Sequence, residues 1–481
     1  MRKKGIATLL VILFVLGANF PASAMTSEQS NAIQAFLDDV LRISRTPGIS
    51  AAVVAGDDTH FFSSGVAHRR DNIPANEETL WETASVSKAF TAFGILYLEE
   101  QGLLSLTDSI ADHLPWLTFR YNGQAVNMQE VRLYHFMYHT SGLPLLSKRG
   151  QGTLLSGIEA LINVELGFFP GEKYSYGNDN YNILGLVIET VSGQSYESFM
   201  EERIFRPLGM MNTFANHSHA VATSRLAQGY ATQFIFFNVP RNASEAVVIE
   251  DLPTGFLVSS AQDMARWMQI QMGLVTDIPE VFRTIIPRSH ELVEQVVEVN
   301  SDYAAGWRIA DEGHRIEHGG NNESFQAFVL MFPEEQIGVT FFVNSCQTVN
   351  LELIANSVAD ILRGNLDATY RMSVMRIMDM ALTIITVLGV ALAVMFFVLA
   401  LRRAKEKPSL TKKRIALIAL WAIITLAMIA ILFVLPQLLI PGGNWPFLLS
   451  LVSLSFLTGI IALVLLSASL TCFVVFPRRT K

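Results

Sequence analysis

The chain has 481 residues, of which 51% are hydrophobic and only 16% charged, with a net charge of −8 and a mean hydropathy of +0.34. That balance excludes an ordinary soluble protein of this size and requires part of the chain to live in lipid. Residues 25 to 365 carry 40 acidic and 20 basic side chains, whereas residues 366 to 481 carry 3 and 12, so a strongly acidic part precedes a basic, apolar one. An acidic domain repels polyanions, which argues against a nucleic-acid partner. The two cysteines, Cys346 and Cys472, fall one in each part, and the chain has no CxxC and no zinc-type Cys/His spacing.

Residues 1 to 24 open with Arg2, Lys3 and Lys4, continue with the apolar run Ile6 to Leu16, and close on Ala22-Ser23-Ala24. This is the pattern of a secretory signal peptide cleaved after Ala24, and the run is short for an uncleaved anchor, which needs about 20 apolar residues. From Thr26 to Ile43, Ile33, Phe36, Leu37, Val40 and Leu41 recur at helical spacing and stop before Pro47-Gly48. Ile49 to Ala55 and His60 to Val66 then read as two strands joined through Gly56-Asp57-Asp58. A long, mostly helical middle follows. The strand pattern returns at Phe325 to Phe332 and Ile337 to Val343, joined through Pro333 to Gln336, and a helix is expected at Leu351 to Leu362. Hairpins at both ends with helices between predict an α+β domain over residues 25–365. Its terminal strands would share one antiparallel sheet, and its middle would be an inserted helical subdomain.

Residues 366–481 make up the membrane region, with apolar runs at about 380–401, 415–440 and 445–476, each long enough to cross a bilayer. Seven basic residues between Arg402 and Arg414 join the first two runs, Pro441-Gly442-Gly443-Asn444 joins the second and third, and Arg478, Arg479 and Lys481 follow. Positive charge collects in cytoplasmic loops, so the basic connector and the C-terminus are expected inside and residues 25 to 370 outside. A cleaved signal peptide would deliver them to the same side. The reading is a multi-pass cell-membrane protein with an extracytoplasmic domain. The polar groups within the spans are hydroxyls such as Thr383, Thr386 and Thr425, which can bond back to their own helix, so the spans read as an anchor or assembly surface rather than a transport path.

Three short stretches carry residues suited to chemistry. In Ser85-Val86-Ser87-Lys88, a helix starting at Ser85 would put Ser85 and Lys88 on one face. A neutral amine there can take the hydroxyl proton while the helix N-terminus stabilises negative charge on the oxygen. Between Phe169 and Tyr181, the turns Pro170-Gly171 and Gly177-Asn178 expose Tyr176 and Asn178 together. A tyrosine beside a lysine ammonium is expected to have a lowered phenol pKa, which makes it a usable base. Finally, His318-Gly319-Gly320-Asn321-Asn322 precedes a strand. Its glycines let backbone N–H groups approach a ligand, as an oxyanion pocket requires, and His318 could hold a carboxylate or support proton transfer.

Ser85-Val86-Ser87-Lys88, Tyr176-Gly177-Asn178 and His318-Gly319-Gly320, in this order and at these intervals, resemble the serine β-lactamase-like family of class C β-lactamases, low-molecular-weight penicillin-binding proteins, DD-peptidases and related esterases. His139-Thr140-Ser141-Gly142, Arg206-Pro207-Leu208-Gly209 and the stretch from Gly255 to Asp263 add to the likeness, which covers roughly residues 30 to 365. The resemblance implies a five-stranded antiparallel sheet beside a helical subdomain. It implies Ser85 as acylated nucleophile, Lys88 as its activating amine and Tyr176 as general base. Asn178, His318, Gly320 and Asn321 would bind substrate, with the N–H groups of Ser85 and Asn321 as the oxyanion hole. The substrate would be a small molecule or peptide, namely a D-amino-acid peptide, β-lactam or ester. Gly177 replaces the usual Ser or Ala; His318 replaces the usual Lys of class C β-lactamases, and the His-x-Gly motif favours DD-peptidases and esterase-like members.

No cofactor and no metal is expected. His135 and His139 are four apart, but Phe136 stands where a zinc protease has Glu, and His217 and His219 have no further ligands nearby. The chain also has no Gly-x-Ser-x-Gly elbow. A second reading, a sensor or assembly protein that binds penicillin or peptidoglycan without turnover, is motivated by three spans where one would anchor. An esterase or D-aminopeptidase of the same fold is a third.

Overall fold

The computed structural model describes residues 25–145, 152–234, 236–242, 245–299, 301–346, 348–404, 411–439 and 452–476, together with Trp445, Leu448 and Leu449. The expected signal peptide, the Pro-Gly turn at 441–444, the middle of the basic connector and the basic C-terminus lie outside the described residues.

Thr26 caps the first helix, α1 (Ser27–Ser44), by accepting from the Gln29 N–H while the Gln29 side chain bonds back to it. The expected hairpin follows as β1 (Gly48–Ala55) and β2 (Asp58–His68), and β3 (Ile73–Pro74) and β4 (Leu80–Glu82) lead to α2 (Ser87–Glu100). The helical middle contains α3 (Asn178–Ser192), the small hairpin β5 (Tyr230–Gln233) and β6 (Phe237–Pro240), the single turn α4 (Leu252–Gly255), β7 (Val258–Ser260) and α5 (Ala261–Gln271). The chain returns through β8 (Arg308–Ala310), β9 (Arg315–Asn321), β10 (Gln326–Phe332) and β11 (Ile337–Val343) to α6 (Leu351–Leu362).

One antiparallel sheet has the order β8-β9-β10-β11-β1-β2-β3, with five long strands and a short one at each edge. The first strand of the domain meets its last at the centre of the sheet, where Ile49 pairs with Val343 and Ala55 with Ile337. Every residue of β1 is buried because both faces of the sheet are covered. Ile49, Ala51 and Val53 pack with α1 and α6 on one side, and Ala52 and Val54 face the helical layer on the other. That layer is built around α2, which is apolar on nearly every side. Phe90 and Phe93 sit 4.5 and 5.1 Å from the Trp267 ring of α5. The α+β class expected from the terminal hairpins is what the structure has, and this packing fixes the start of α2 against the sheet.

Three helices, α7 (Val374–Arg403), α8 (Lys412–Leu439) and α9 (Ser455–Val475), are long and apolar enough to cross a membrane. Small residues bring α7 and α9 together, and a Cβ added at Gly389 would stand 3.2 Å from the Cβ of Ala462. The hydroxyls of Thr383, Thr386 and Thr425 bond the carbonyls of Asp379, Leu382 and Trp421, four residues back.

Candidate active site

The segment between β4 and α2 sets the position of Ser85. Ala84 has φ 45°, in the left-handed region that non-glycine residues rarely adopt, and Ala84–Val86 form a 3₁₀ turn before α2 begins at Ser87. The helix thus starts two residues later than expected, after a tight turn that presents Ser85. Local strain of this kind persists where surrounding packing over-determines it. Here α2, α4 and β9 all press on the turn: a Cβ on Gly320 of β9 would lie 2.5 Å from the Ser85 backbone nitrogen. Only glycine permits that approach.

Lys88, fully buried in the first turn of α2, places Nζ 3.2 Å from Ser85 Oγ, 3.0 Å from Asn178 Oδ1 and 2.8 Å from the carbonyl of Thr254. Burial lowers its pKa from 10.5 to about 7, opposed by the negative charge of Asp251. A neutral amine has two N–H donors and one lone pair. Asn178 Oδ1 and the Thr254 carbonyl can only accept, so they take the two donors and leave the lone pair for the Ser85 hydroxyl proton. Asn178 thus holds the lysine amine through its Oδ1. The Thr254 carbonyl, the third anchor, carries no side-chain signal in the sequence.

The loop bearing Tyr176 and Asn178 is held from below by the His139 stretch. His139 Nδ1 accepts from the Gly177 N–H at 3.3 Å and from Asn180 Nδ2 at 3.1 Å, and the His139 carbonyl accepts from the Ser175 N–H at 2.8 Å. His139 is buried and neutral, with its pKa held well below the usual value by burial and by Lys88. It serves the loop, and no cluster of metal-ligating side chains exists among the described residues.

The Tyr176 ring lies 4.9 Å from Lys88 Nζ, so the expected proximity is present, but the expected lowering of its phenol pKa is not. Desolvation of its buried hydroxyl raises it well above the ordinary value, and the nearby Ser85 hydroxyl opposes this without making a hydrogen bond. Desolvation outweighs a lysine that is itself half-neutral near pH 7.

His318 also differs from expectation. It is 4% exposed, with Nδ1 on the Gly319 carbonyl at 2.8 Å and Nε2 3.0 Å from the Tyr303 hydroxyl. Burial, with Lys88 nearby, lowers its pKa to about 3. The carbonyl fixes the Nδ1–H tautomer, so Nε2 accepts from Tyr303. A neutral ring with both nitrogens engaged offers no charge to a substrate carboxylate. Tyr303, absent from the motif reading, joins Tyr174, Tyr176, Tyr181 and His139 in one aromatic cluster beside the site.

Asn321 ends β9. Asn322 and Phe325 form a hydrogen-bonded pair, N–H to carbonyl at 3.0 Å, so in the antiparallel alternation the N–H of Asn321, one residue earlier, turns away from β10. The adjoining turn is clamped to β4, the strand that leads to Ser85. Asn322 Oδ1 accepts from the Ser324 and Phe325 N–H groups at 2.9 and 2.8 Å, while its Nδ2 donates to Glu82 Oε2 at 2.5 Å. Glu82, buried on β4 three residues before Ser85, also lies 3.3 Å from His217 Nε2 through its other oxygen. The structure thus brings Ser85, Lys88, Tyr176, Asn178, Gly320 and Asn321 together and adds Glu82, Asn322, Thr254, Asp251 and Tyr303.

The β-lactamase family profile matches residues 31–361. The chain is 26% identical over 461 residues to protein flp of Staphylococcus aureus strain NCTC 8325, covering 91% of this chain and 90% of that one. It is 27% identical over 344 residues to penicillin-binding protein 4* of Bacillus subtilis, covering 66% and 72%. Among solved structures, the octameric penicillin-binding protein homologue from Pyrococcus abyssi superposes with a TM-score of 0.60 at 24% identity, over 70% of this chain and 77% of that one. A β-lactamase/D-alanine carboxypeptidase from Pseudomonas syringae gives 0.58 at 19%, over 71% and 99%. With the ordered motifs gathered around one buried lysine and a profile spanning most of its length, the chain belongs to the β-lactamase family.

Proposed function

We propose that the chain is a membrane-anchored serine hydrolase that works through an acyl-enzyme on Ser85, with a DD-peptidase-like or β-lactamase-related substrate. The observation that carries this is the buried Lys88 amine, whose two carbonyl partners leave its lone pair to Ser85 Oγ at 3.2 Å. Lys88 takes the hydroxyl proton as Oγ attacks the acyl carbon. The N–H groups of Ser85 and Asn321 receive the developing oxyanion, a contribution of about 3 to 4 kcal/mol per donor in comparable sites. Tyr176, kept protonated by burial, relays a proton to the leaving group, and water then releases the acyl chain. Residues 1–24 are read as a cleaved signal, 25–365 as the catalytic domain outside the cytoplasm, and 366–481 as the anchor with a cytoplasmic C-terminus.

The substrate assignment draws on the names of the relatives, a penicillin-binding protein and a β-lactamase/D-alanine carboxypeptidase. Presenting the full-length protein with a β-lactam, a D-Ala-D-Ala peptide and a p-nitrophenyl ester separates the readings. Sustained release of product from at least one of them, lost in Ser85→Ala, is expected. One acylation per molecule with no further turnover on any of them would instead identify a binder and overturn the hydrolase.

A further inference from the structure

The β5–β6 hairpin exposes three large apolar side chains within four residues. Phe236 and Phe237 are 55% and 61% exposed and Val239 is 47% exposed. Contiguous exposed apolar side chains on an otherwise acidic domain mark a contact surface. A two-stranded ribbon of its own is also marginal in water without something to cover it.

The position of the hairpin says what covers it. Its stem is fastened to the body, where the Tyr230 N–H donates to the Asn344 carbonyl at 3.0 Å and Thr232 and Ser345 pair their hydroxyls at 3.0 Å. Its turn meets the start of the third apolar helix. The Phe234 N–H donates to Ser453 Oγ at 3.2 Å, and Gln233 Oε1 accepts from that hydroxyl at 3.3 Å and from the Leu454 N–H at 2.5 Å. Ser453 and Leu454 directly precede α9, the end that the charge pattern places on the outer side. Beside them, Ser455 Oγ donates to Asp379 Oδ1 at 2.5 Å, which ties α9 to the outer turn of α7. The Arg45 guanidinium stands 5.5 Å over the Phe236 ring, which places a cation beside the exposed apolar side chains.

We propose that the β5–β6 hairpin dips into the outer leaflet. Phe236 and Phe237 enter the boundary between headgroups and acyl chains, and Arg45 stays at the phosphates. The occupant of this surface is the lipid bilayer, and it is continuous with the membrane already around α7 and α9. The consequence is a catalytic domain held in one orientation rather than swinging on a tether. A cavity of about 390 Å³ lies between Gly319, Gly320 and Asn321 of β9 and Ser373, Val374 and Met375 at the start of α7, so the site strand itself stands next to the anchor. The inference rests on reading α7, α8 and α9 as membrane spans.

The test uses the full-length protein in lipid nanodiscs, with Cys346→Ser and Cys472→Ser, and an environment-sensitive NBD dye on Phe237→Cys. A second protein carries the dye on Leu103→Cys, an exposed site on the domain. At position 237 the dye should be quenched at least about twofold by lipids bearing a shallow nitroxide and be protected from iodide, with the reverse at position 103. A dye at 237 that iodide quenches as strongly as at 103, with no effect of the nitroxide, overturns the hairpin insertion while leaving the anchor intact. Failure of the anchor is a separate result: the unmodified chain would leave membranes in carbonate without detergent.

Discussion

Lys88 offers the sharpest prediction, because its environment sets the fraction of enzyme able to start the reaction. With an ordinary pKa of 10.5, about one lysine in 3,000 would be neutral at pH 7, whereas with a pKa of about 7 half of them are. Burial thus raises the supply of reactive amine by roughly 10³-fold. The group is active when deprotonated, so the acylation rate should climb about tenfold per pH unit below pH 6, bend near 7 and level off above 8. The assay is the burst of a chromogenic ester or β-lactam, followed by stopped flow across pH 5 to 9. Lys88→Arg, which stays charged throughout this range, should lose at least about 10³-fold. The sign for stability is the same: the unfolded chain binds the lysine proton below 10.5 and the native chain only below about 7, so this group makes the fold more stable as pH rises between those values. A flat acylation profile from pH 5 to 9, or an inflection above 9, would refute the reasoning.

Gly320→Ala drives a methyl to 2.5 Å from the Ser85 nitrogen and 2.8 Å from the Thr83 carbonyl; kcat should fall by about 10²-fold or more, with a lower melting temperature by calorimetry. Glu82→Ala and Asn322→Ala should each lower kcat about tenfold or more at nearly constant KM, and the double variant should lose no more than the worse single one, because both break one hydrogen bond that sets the spacing of the oxyanion donors. Glu82→Gln keeps an acceptor for Asn322 and should retain most of the activity; additive losses would refute the clamp. Asn178→Ala frees one N–H of Lys88 to turn from its partner, and should depress kcat while shifting the pH midpoint of acylation, which Tyr176→Phe should leave in place as it slows leaving-group departure.

Much of the site was legible in the sequence because its reactive groups are side chains of distinctive type at short spacings, Ser85 with Lys88 and Tyr176 with Asn178. Short apolar runs joined through turn residues at the two ends of residues 25–365 likewise marked the central strands. The parts that were not legible depend on contacts made only in the folded chain. The Thr254 carbonyl reaches Lys88 across 166 residues and is backbone, for which no residue type is a signal. The left-handed Ala84 has no sequence mark, since alanine is the residue least suggestive of a special turn. Electrostatic signs went astray for one physical reason. Proximity of Tyr176 to Lys88 could be foreseen from the motifs, but the depth of burial could not, and burial decides the protonation of Tyr176, His318 and Lys88.

The central claim is a covalent acyl bond on Ser85. Intact-mass and peptide mapping of the full-length protein after brief exposure to a β-lactam or a fluorophosphonate tests it directly. The account predicts one adduct per chain, on the peptide containing Ser85, and none in Ser85→Ala. An adduct of equal yield in Ser85→Ala, or one mapped to another residue of the native chain, would contradict it.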